Sequence, residues 1–275
     1  MKASAIMLTD LDGTLLASDR TVSEVNRSVL ALLGKKKIVR VAATGRSLYS
    51  CRKVIPEGFP FDYLIFSSGA GIMNWKTGKI LKTSALSSDE IRSVAEHFLS
   101  CNLDFSIHQP IPHTHRFHWF ASSNPNRDFL ERLELFKKFA STGDYNKINS
   151  ATQLLAVTEN LDQVLPGLRK KFADLNIIRT TSPLNRHVTW IEVFPGNVSK
   201  GHAAEWLSRY LDIEQSRTMS VGNDFNDLSM LEWTRFSYIM QNAATELKSM
   251  FRNAPSNDDN GFSFAVLDWL KHLDD

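Results

Sequence analysis

Two carboxylates stand two residues apart near the start of the chain, where an apolar run ends. Ala5 to Leu8 is typical of a short strand buried on both faces, and Asp10 and Asp12 follow it closely. Both side chains can therefore reach one small volume. One carboxylate can attack phosphorus and form an acyl phosphate, while the other exchanges a proton with the leaving group and then with water. The pair is a candidate for phosphoryl transfer, although an isolated Asp-x-Asp-Gly sequence is more often a turn.

Later polar residues supply the other parts of such a site. Thr44 and Gly45 follow the next predicted strand and offer a hydroxyl and backbone N–H groups to a phosphate oxygen. Lys200 supplies a compact positive charge, and the loop from Asn223 to Asp227 supplies further oxygen ligands. A phosphoryl group surrounded by carboxylates needs a cation, and Mg²⁺ takes oxygen ligands of this kind. Each signal alone is weak, but together they predict one site at the carboxyl ends of neighbouring strands.

Alternating strands and helices position these residues. Strand, helix and strand follow one another at a spacing that predicts a parallel sheet with right-handed crossovers. Thr21 and Glu24 have capping-box spacing before the first predicted helix, and Gly34 stands where that helix should stop. A later helix from about Ser199 is predicted to turn Ala203, Ala204, Leu207 and Leu211 inward.

The middle of the chain follows a different pattern, typical of an inserted α+β domain. Ser87 and Glu90 form a second capping box there. Strands are predicted at Asp104 to Ile107, Phe117 to Phe120, Leu154 to Val157 and Ile177 to Thr180, and helices at Phe129 to Phe139 and Leu161 to Phe172. We therefore predict an α/β fold: a Rossmann-like, doubly wound parallel sheet core from residues 1–83 and 189–275, with an inserted α+β cap domain at 84–188.

Composition narrows the function classes. The chain has 275 residues, 43% of them hydrophobic and 23% charged, which excludes collagen-like, low-complexity and wholly disordered proteins. The formal net charge is only +2 and the charged residues are scattered along the chain, so neither nucleic acid nor a membrane surface is an expected partner. No apolar run approaches the ~18 residues that span a bilayer, and Cys51 and Cys101 form no zinc or disulfide pattern. A cytoplasmic protein, either a monomer or a homodimer, is expected.

Four segments resemble the motifs of the haloacid dehalogenase superfamily. They are Asp10-Leu11-Asp12-Gly13-Thr14, Thr44-Gly45-Arg46, Lys200-Gly201 and Gly222-Asn223-Asp224-Phe225-Asn226-Asp227 with the Leu228 to Leu231 that follow. The insertion between the second and third motifs resembles the type IIB cap of the Cof-like sugar-phosphate phosphatases. This resemblance implies a core that handles the phosphate and a cap that selects the substrate.

The resemblance also implies a role for each motif residue. Asp10 is the expected nucleophile and Asp12 the general acid/base, and the Asp10 carboxylate and the Asp12 backbone carbonyl are expected to hold Mg²⁺. The expected phosphoryl-binding residues are Thr44, Gly45, Arg46 and Lys200. The presence of Asp12, which dehalogenating members lack, favours phosphoryl transfer over carbon–halogen chemistry.

The fourth motif departs from the family pattern Gly-Asp-x-x-Asn-Asp. Asn223 stands at the first acidic position, and we place it at the metal, with Asp224 as the alternative ligand. An amide oxygen can bind Mg²⁺ but brings no charge, so weaker affinity is expected unless Asp224 or Asp227 compensates. Asp227 is expected to bind the metal or to orient Lys200.

The predicted function is a Mg²⁺-dependent phosphatase that acts on a small phosphorylated metabolite, with a sugar phosphate favoured, through an aspartyl-phosphate intermediate. The alternatives are a phosphosugar mutase and a non-catalytic regulator that binds a phosphorylated metabolite. Within the cap, the histidine-rich stretch 108–118 is interpreted as a structural or substrate-contacting loop, ahead of a second metal site. Arg186 and His187 are candidates for contact with a sugar or a second anion, and a surface ion pair is equally compatible with the pattern.

Overall fold

The computed structural model describes residues 4–182 and 188–273. The strands are β1 (Ala5–Thr9), β2 (Ile38–Ala43), β3 (Tyr63–Phe66), β4 (Gly71–Asn74), β5 (Ile80–Thr83), β6 (Leu86–Ser87), β7 (Asp104–His108), β8 (Phe117–Phe120), β9 (Ala140–Ser141), β10 (Ser150–Ala151), β11 (Gln153–Thr158), β12 (Leu175–Thr181), β13 (Thr189–Pro195), β14 (Thr218–Gly222), β15 (Phe236–Met240) and β16 (Arg252–Ala254). The helices are α1 (Glu24–Lys35), α2 (Leu48–Val54), α3 (Ser88–Ser100), α4 (Arg127–Leu135), α5 (Leu161–Lys171), α6 (Lys200–Tyr210), α7 (Leu228–Trp233), α8 (Thr245–Lys248) and α9 (Gly261–His272).

The chain divides into two compact units. The core unit comprises Met1–Arg46, Ser50–Lys82 and Ser199–Asp275, and the inserted unit comprises Ser47–Tyr49 and Thr83–Val198. The predicted return to the core at residue 189 is therefore about ten residues early. The apolar strand β13 pairs with β11 and β12 and completes the sheet of the inserted unit.

The core unit contains an eight-stranded sheet in the order β16-β15-β14-β1-β2-β3-β4-β5. From β16 to β3 all neighbours run parallel, and the β3–β4 pair is antiparallel. The chain winds outward from β1 in both directions, which is the predicted doubly wound α/β arrangement. Ala203, Ala204 and Leu207 of α6 pack on one sheet face against residues such as Leu8, and Leu211 packs at its margin, as predicted.

Polar residues follow four neighbouring strands at one edge of this sheet. Asp10 follows β1, Thr44 follows β2, Ser67 follows β3 and Asn223 follows β14. Because parallel strands end at the same edge, these residues are brought together even though they are far apart in sequence.

Helix caps explain where two of the helices begin. The capping box of Ser87 and Glu90 is present at α3, as predicted. At α1, however, the prediction of Thr21 as the cap is wrong. The cap is Ser23, whose side chain accepts from the Asn26 N–H. The Thr21 hydroxyl and backbone N–H both donate to Asp19 in a local turn, so this residue is not available to cap the helix.

The expected end of α1 at Gly34 is also displaced. The helix continues through Lys35, and the left-handed residue that follows it is Lys37, with φ of 60°. Gly34 lies under the Arg40 guanidinium, where a Cβ would collide with it, so this glycine allows close packing instead of ending the helix.

The inserted unit is built on a six-stranded sheet in the order β12-β13-β11-β7-β8-β9. All neighbours are antiparallel except β8 and β9. One face packs against α3 and α5 through residues such as Phe98, Leu154 and Leu168, and the other packs against Phe129 of α4. The predicted strands and helices of this region are found within a few residues of their expected bounds, apart from α4, which ends four residues early at Leu135.

Candidate active site

A buried lysine joins two of the predicted carboxylates. Lys200, the first residue of α6, has no solvent exposure, and its Nζ donates to Asp10 Oδ1 at 2.7 Å and to Asp227 Oδ1 at 2.6 Å. Ser199 fixes the start of this helix because its hydroxyl accepts from the His202 N–H. The start of α6 thus places a cation at the sheet edge where Asp10 follows β1.

The second carboxylate oxygens of Asp10 and Asp227 differ in their hydrogen bonds. Asp227 Oδ2 accepts from the backbone N–H groups of Asn223 and Asp224, at 2.9 and 3.1 Å, so its carboxylate is fully engaged. Asp10 Oδ2 accepts no hydrogen bond from the described residues. Of the two roles expected for Asp227, these contacts favour the orientation of Lys200, and they leave one oxygen of Asp10 available to a reacting group.

Burial and neighbouring charges shift the pKa values of Asp10 and Lys200. Burial is the largest cause that raises the pKa of Asp10 from 3.8 to about 7. The Lys200 charge opposes this rise, and the Asp227 and Asp12 charges add to it. Burial acts to lower the pKa of Lys200, but the two carboxylates outweigh it and the pKa lies above its ordinary value. Lys200 is therefore cationic at neutral pH and favours the ionised form of Asp10.

The expected acid/base lies beside the expected phosphate loop. Arg46 Nε and Nη2 each donate at 2.6 Å to one oxygen of Asp12. Thr44 is buried, and its Oγ1 accepts from the Arg46 backbone N–H at 3.1 Å. No described group accepts the Thr44 hydroxyl proton, which leaves it able to donate to a phosphate oxygen.

Amide side chains brace the loop that carries the two aspartates. Asn242 Nδ2 donates to the Gly13 carbonyl at 2.9 Å, and the Thr14 hydroxyl donates to Asn223 Oδ1 at 3.1 Å. Gly13 has φ of 71° and lies so close to the Asn223 amide that a Cβ would collide with it. The first and fourth motifs are therefore in direct contact.

The donor set is compatible with Mg²⁺. Asp10 Oδ2 accepts no hydrogen bond from the described residues, and Asn223 Oδ1 has a second lone pair beyond its bond to Thr14. No cluster of three or more His, Cys, Asp or Glu that could hold a metal is found in residues 4–182 and 188–273. Mg²⁺ commonly keeps several waters and needs only one or two carboxylates, so a set of Asp10, the Asp12 carbonyl and Asn223 fits this ion.

Two contributors, Asn226 and Gly69, receive no individual role from the sequence. Asn226 Oδ1 accepts from Lys200 Nζ at 3.3 Å, and its Nδ2 lies beside Gly45. Gly69 has φ of 105° and packs against the Ser199 carbonyl, where a Cβ would collide, so it sets the approach of α6. Asn226 lies within the fourth motif and its position there was a usable signal, whereas the Gly69 contact depends on tertiary packing.

Comparison with known proteins identifies the family of this chain. A family model of haloacid dehalogenase-like hydrolases matches residues 7–266. The chain belongs to this family. YxeH of Bacillus subtilis (strain 168) is 27% identical over 277 residues, which cover 94% of this chain and 95% of that protein. The HMP-PP phosphatase of Serratia proteamaculans (strain 568) is 26% identical over 258 residues, covering 88% and 85% of the two chains.

Solved structures show the same fold. The HAD subclass IIB sugar phosphatase BT4131 superposes with a TM-score of 0.77 at 18% identity, covering 97% of this chain and 99% of that one. The predicted superfamily and fold class are confirmed, and the chain is an enzyme, a phosphatase of the haloacid dehalogenase type.

Several expectations concern the inserted unit. His108 is buried, while His113 is exposed, and Arg186 and His187 lie outside the described residues.

No helix within the two described ranges is both long enough and apolar enough to cross a bilayer.

Proposed function

We propose that this phosphatase hydrolyses the phosphoric monoester of a small metabolite, with a sugar phosphate as the favoured substrate, through a phosphoryl group carried on Asp10. The observation that carries the proposal is the Asp10 carboxylate itself. It is buried at the end of β1, held on one oxygen by Lys200, and unbonded on the other within the described residues. A nucleophile needs this combination of fixed position, ionisation and one free lone pair.

The reaction has two steps. In the first, the free Asp10 oxygen forms a bond to phosphorus, the bond from phosphorus to the metabolite oxygen breaks, and Asp12 gives that oxygen a proton. In the second, Asp12 takes a proton from water, which attacks phosphorus and releases inorganic phosphate and the Asp10 carboxylate. The Thr44 hydroxyl, the Gly45 N–H and the Lys200 ammonium stabilise negative charge on the phosphoryl oxygens.

The proposal includes a resident Mg²⁺. Asp10, the Asp12 carbonyl and Asn223 are the residues proposed to hold it, with Asp227 acting on Lys200. When bound, the ion would supply positive charge that stabilises the negative charge of the phosphoryl group. A cytoplasmic location, a monomeric or homodimeric assembly and substrate selection by the inserted unit belong to the same proposal.

The test is phosphate release from a panel of sugar phosphates, nucleotides and small phosphoesters, with Mg²⁺ and with a chelator. The Asp10→Asn variant serves as the blank because it removes the nucleophile at nearly constant volume. We expect Mg²⁺-dependent release above this blank for at least one sugar phosphate. Phosphate moved within the sugar without release would instead support a mutase, and binding of the phosphorylated compound without turnover would support a regulator.

A further inference from the structure

The Arg46 guanidinium, expected to bind phosphate, is fixed on the proposed acid/base. Its Nε and Nη2 contact the two Asp12 oxygens, each at 2.6 Å, in the parallel fork that arginine forms with a carboxylate. Its Nη1 donates to Ser50 Oγ at 2.9 Å. Three nitrogens of the side chain therefore have partners in the protein.

The backbone of Arg46 is equally well held. Its N–H donates to Thr44 Oγ1 at 3.1 Å, and its carbonyl accepts from the Ser67 N–H at 2.9 Å. The side chain is 19% exposed. Arg46 is thus a rigid support that extends from the proposed phosphate loop to Asp12.

Asp12 needs such a support. Its side chain is 51% exposed, so neighbouring atoms alone do not restrict its rotamer. A general acid must hold one oxygen within hydrogen-bond reach of the leaving group, and small errors in placement lower the rate strongly. We propose that Arg46 is a positioning residue, which acts through Asp12 and not as a ligand of the phosphoryl group; this inference rests on the proposed function.

The two roles of Arg46 predict different kinetics. A phosphate ligand acts independently of Asp12, so its removal weakens binding of substrate and of inorganic phosphate. A positioning residue acts only while Asp12 is present, so its removal lowers kcat, leaves KM and phosphate inhibition nearly unchanged, and has no effect once Asp12 is gone.

A double-mutant cycle, measured on the full chain with Mg²⁺, distinguishes the positioning role of Arg46 from the phosphate-binding role. We expect Asp12→Ala to lower kcat by about 10²- to 10⁴-fold and Arg46→Ala to lower it by about 10- to 100-fold. The double variant should be no slower than Asp12→Ala alone. Arg46→Lys keeps the charge but cannot form the fork, so its kcat should stay well below that of the wild type. Ser50→Ala, a milder change, should show a smaller loss of kcat at constant KM.

Arg52→Ala is the matched control, because Arg52 is an exposed arginine six residues from Arg46, on the helix α2 that carries Ser50. It should leave kcat and KM unchanged, and thermal melts should show that every variant is folded. Additive losses in the double variant, or a raised inhibition constant for inorganic phosphate in Arg46→Ala, would overturn the positioning role while leaving the phosphatase intact. Absence of phosphatase activity in the wild type would overturn the proposed function and this inference with it.

Discussion

A buried histidine in the inserted unit makes the stability of that unit depend on pH. His108 ends β7 and is 4% exposed; its Nδ1 lies 2.7 Å from the Thr114 carbonyl, to which it donates. Its Nε2 lies 3.3 Å from Arg132 Nη2, which can donate only to a neutral ring. Burial, together with the Arg132 charge, lowers the pKa of His108 from 6.5 to about 3, against the opposing effect of the Thr114 carbonyl.

The sign follows from the number of bound protons. Below pH 6.5 the unfolded chain binds a proton at this histidine that the folded chain does not, so the contribution to stability is present above pH 6.5 and is lost as the pH falls towards 3. Between pH 7 and pH 5 the loss is about 2 kcal/mol, at 1.36 kcal/mol per pKa unit for an unfolded pKa of 6.5. This corresponds to roughly a 30-fold rise in the opening constant.

Hydrogen exchange of the β7 and β11 amides measures this opening directly. His108→Asn keeps a donor near the Thr114 carbonyl but does not titrate. The difference in the free energy of opening between this variant and the wild type should therefore change by about 2 kcal/mol between pH 7 and pH 5. The exposed His113→Asn is the control and should follow the wild type at both pH values. Parallel pH profiles for the wild type and His108→Asn would refute the reasoning.

Three further predictions concern the core unit. Asn223→Asp adds charge to the proposed Mg²⁺ ligand set and should tighten Mg²⁺ binding in calorimetric titration; unchanged affinity would place the ligand elsewhere. Lys200→Met leaves two buried carboxylates unpaired, so urea unfolding at pH 7 in chelator should show a loss of about 3–5 kcal/mol, and equal stability would contradict the buried pairs. Gly69→Ala forces a Cβ against the Ser199 carbonyl at φ of 105°, so it should destabilise the core unit by more than about 1 kcal/mol; an unchanged urea midpoint would argue against that close contact.

The sheet edge could be predicted from sequence because its signals are local. Central parallel strands are short apolar runs, and polar residues follow them directly, as Asp10 and Thr44 do. The strand β13 was assigned to the wrong unit for the opposite reason. Its apolar residues suit either sheet, and only the long-range pairing with β11 and β12 decides between them.

The residue types of the site were also predictable, but their partners were not. Arg46 and Asp12 are 34 residues apart, and their contact depends on the register between β1 and β2. Likewise, nothing local to Asp227 indicates that both of its oxygens are occupied by Lys200 and by backbone N–H groups. Sequence patterns identify the chemistry that a side chain can perform, and tertiary packing selects among those possibilities.

The central claim is that Asp10 carries the phosphoryl group during turnover. Acid quench of the enzyme in the steady state, with a substrate found in the phosphate-release panel, followed by peptide mass spectrometry, tests it most directly. We predict a phosphoryl group on the peptide that contains Asp10, with none in Asp10→Asn treated identically. A phosphoryl group on another residue, or turnover by Asp10→Asn at the rate of the wild type, would contradict the account.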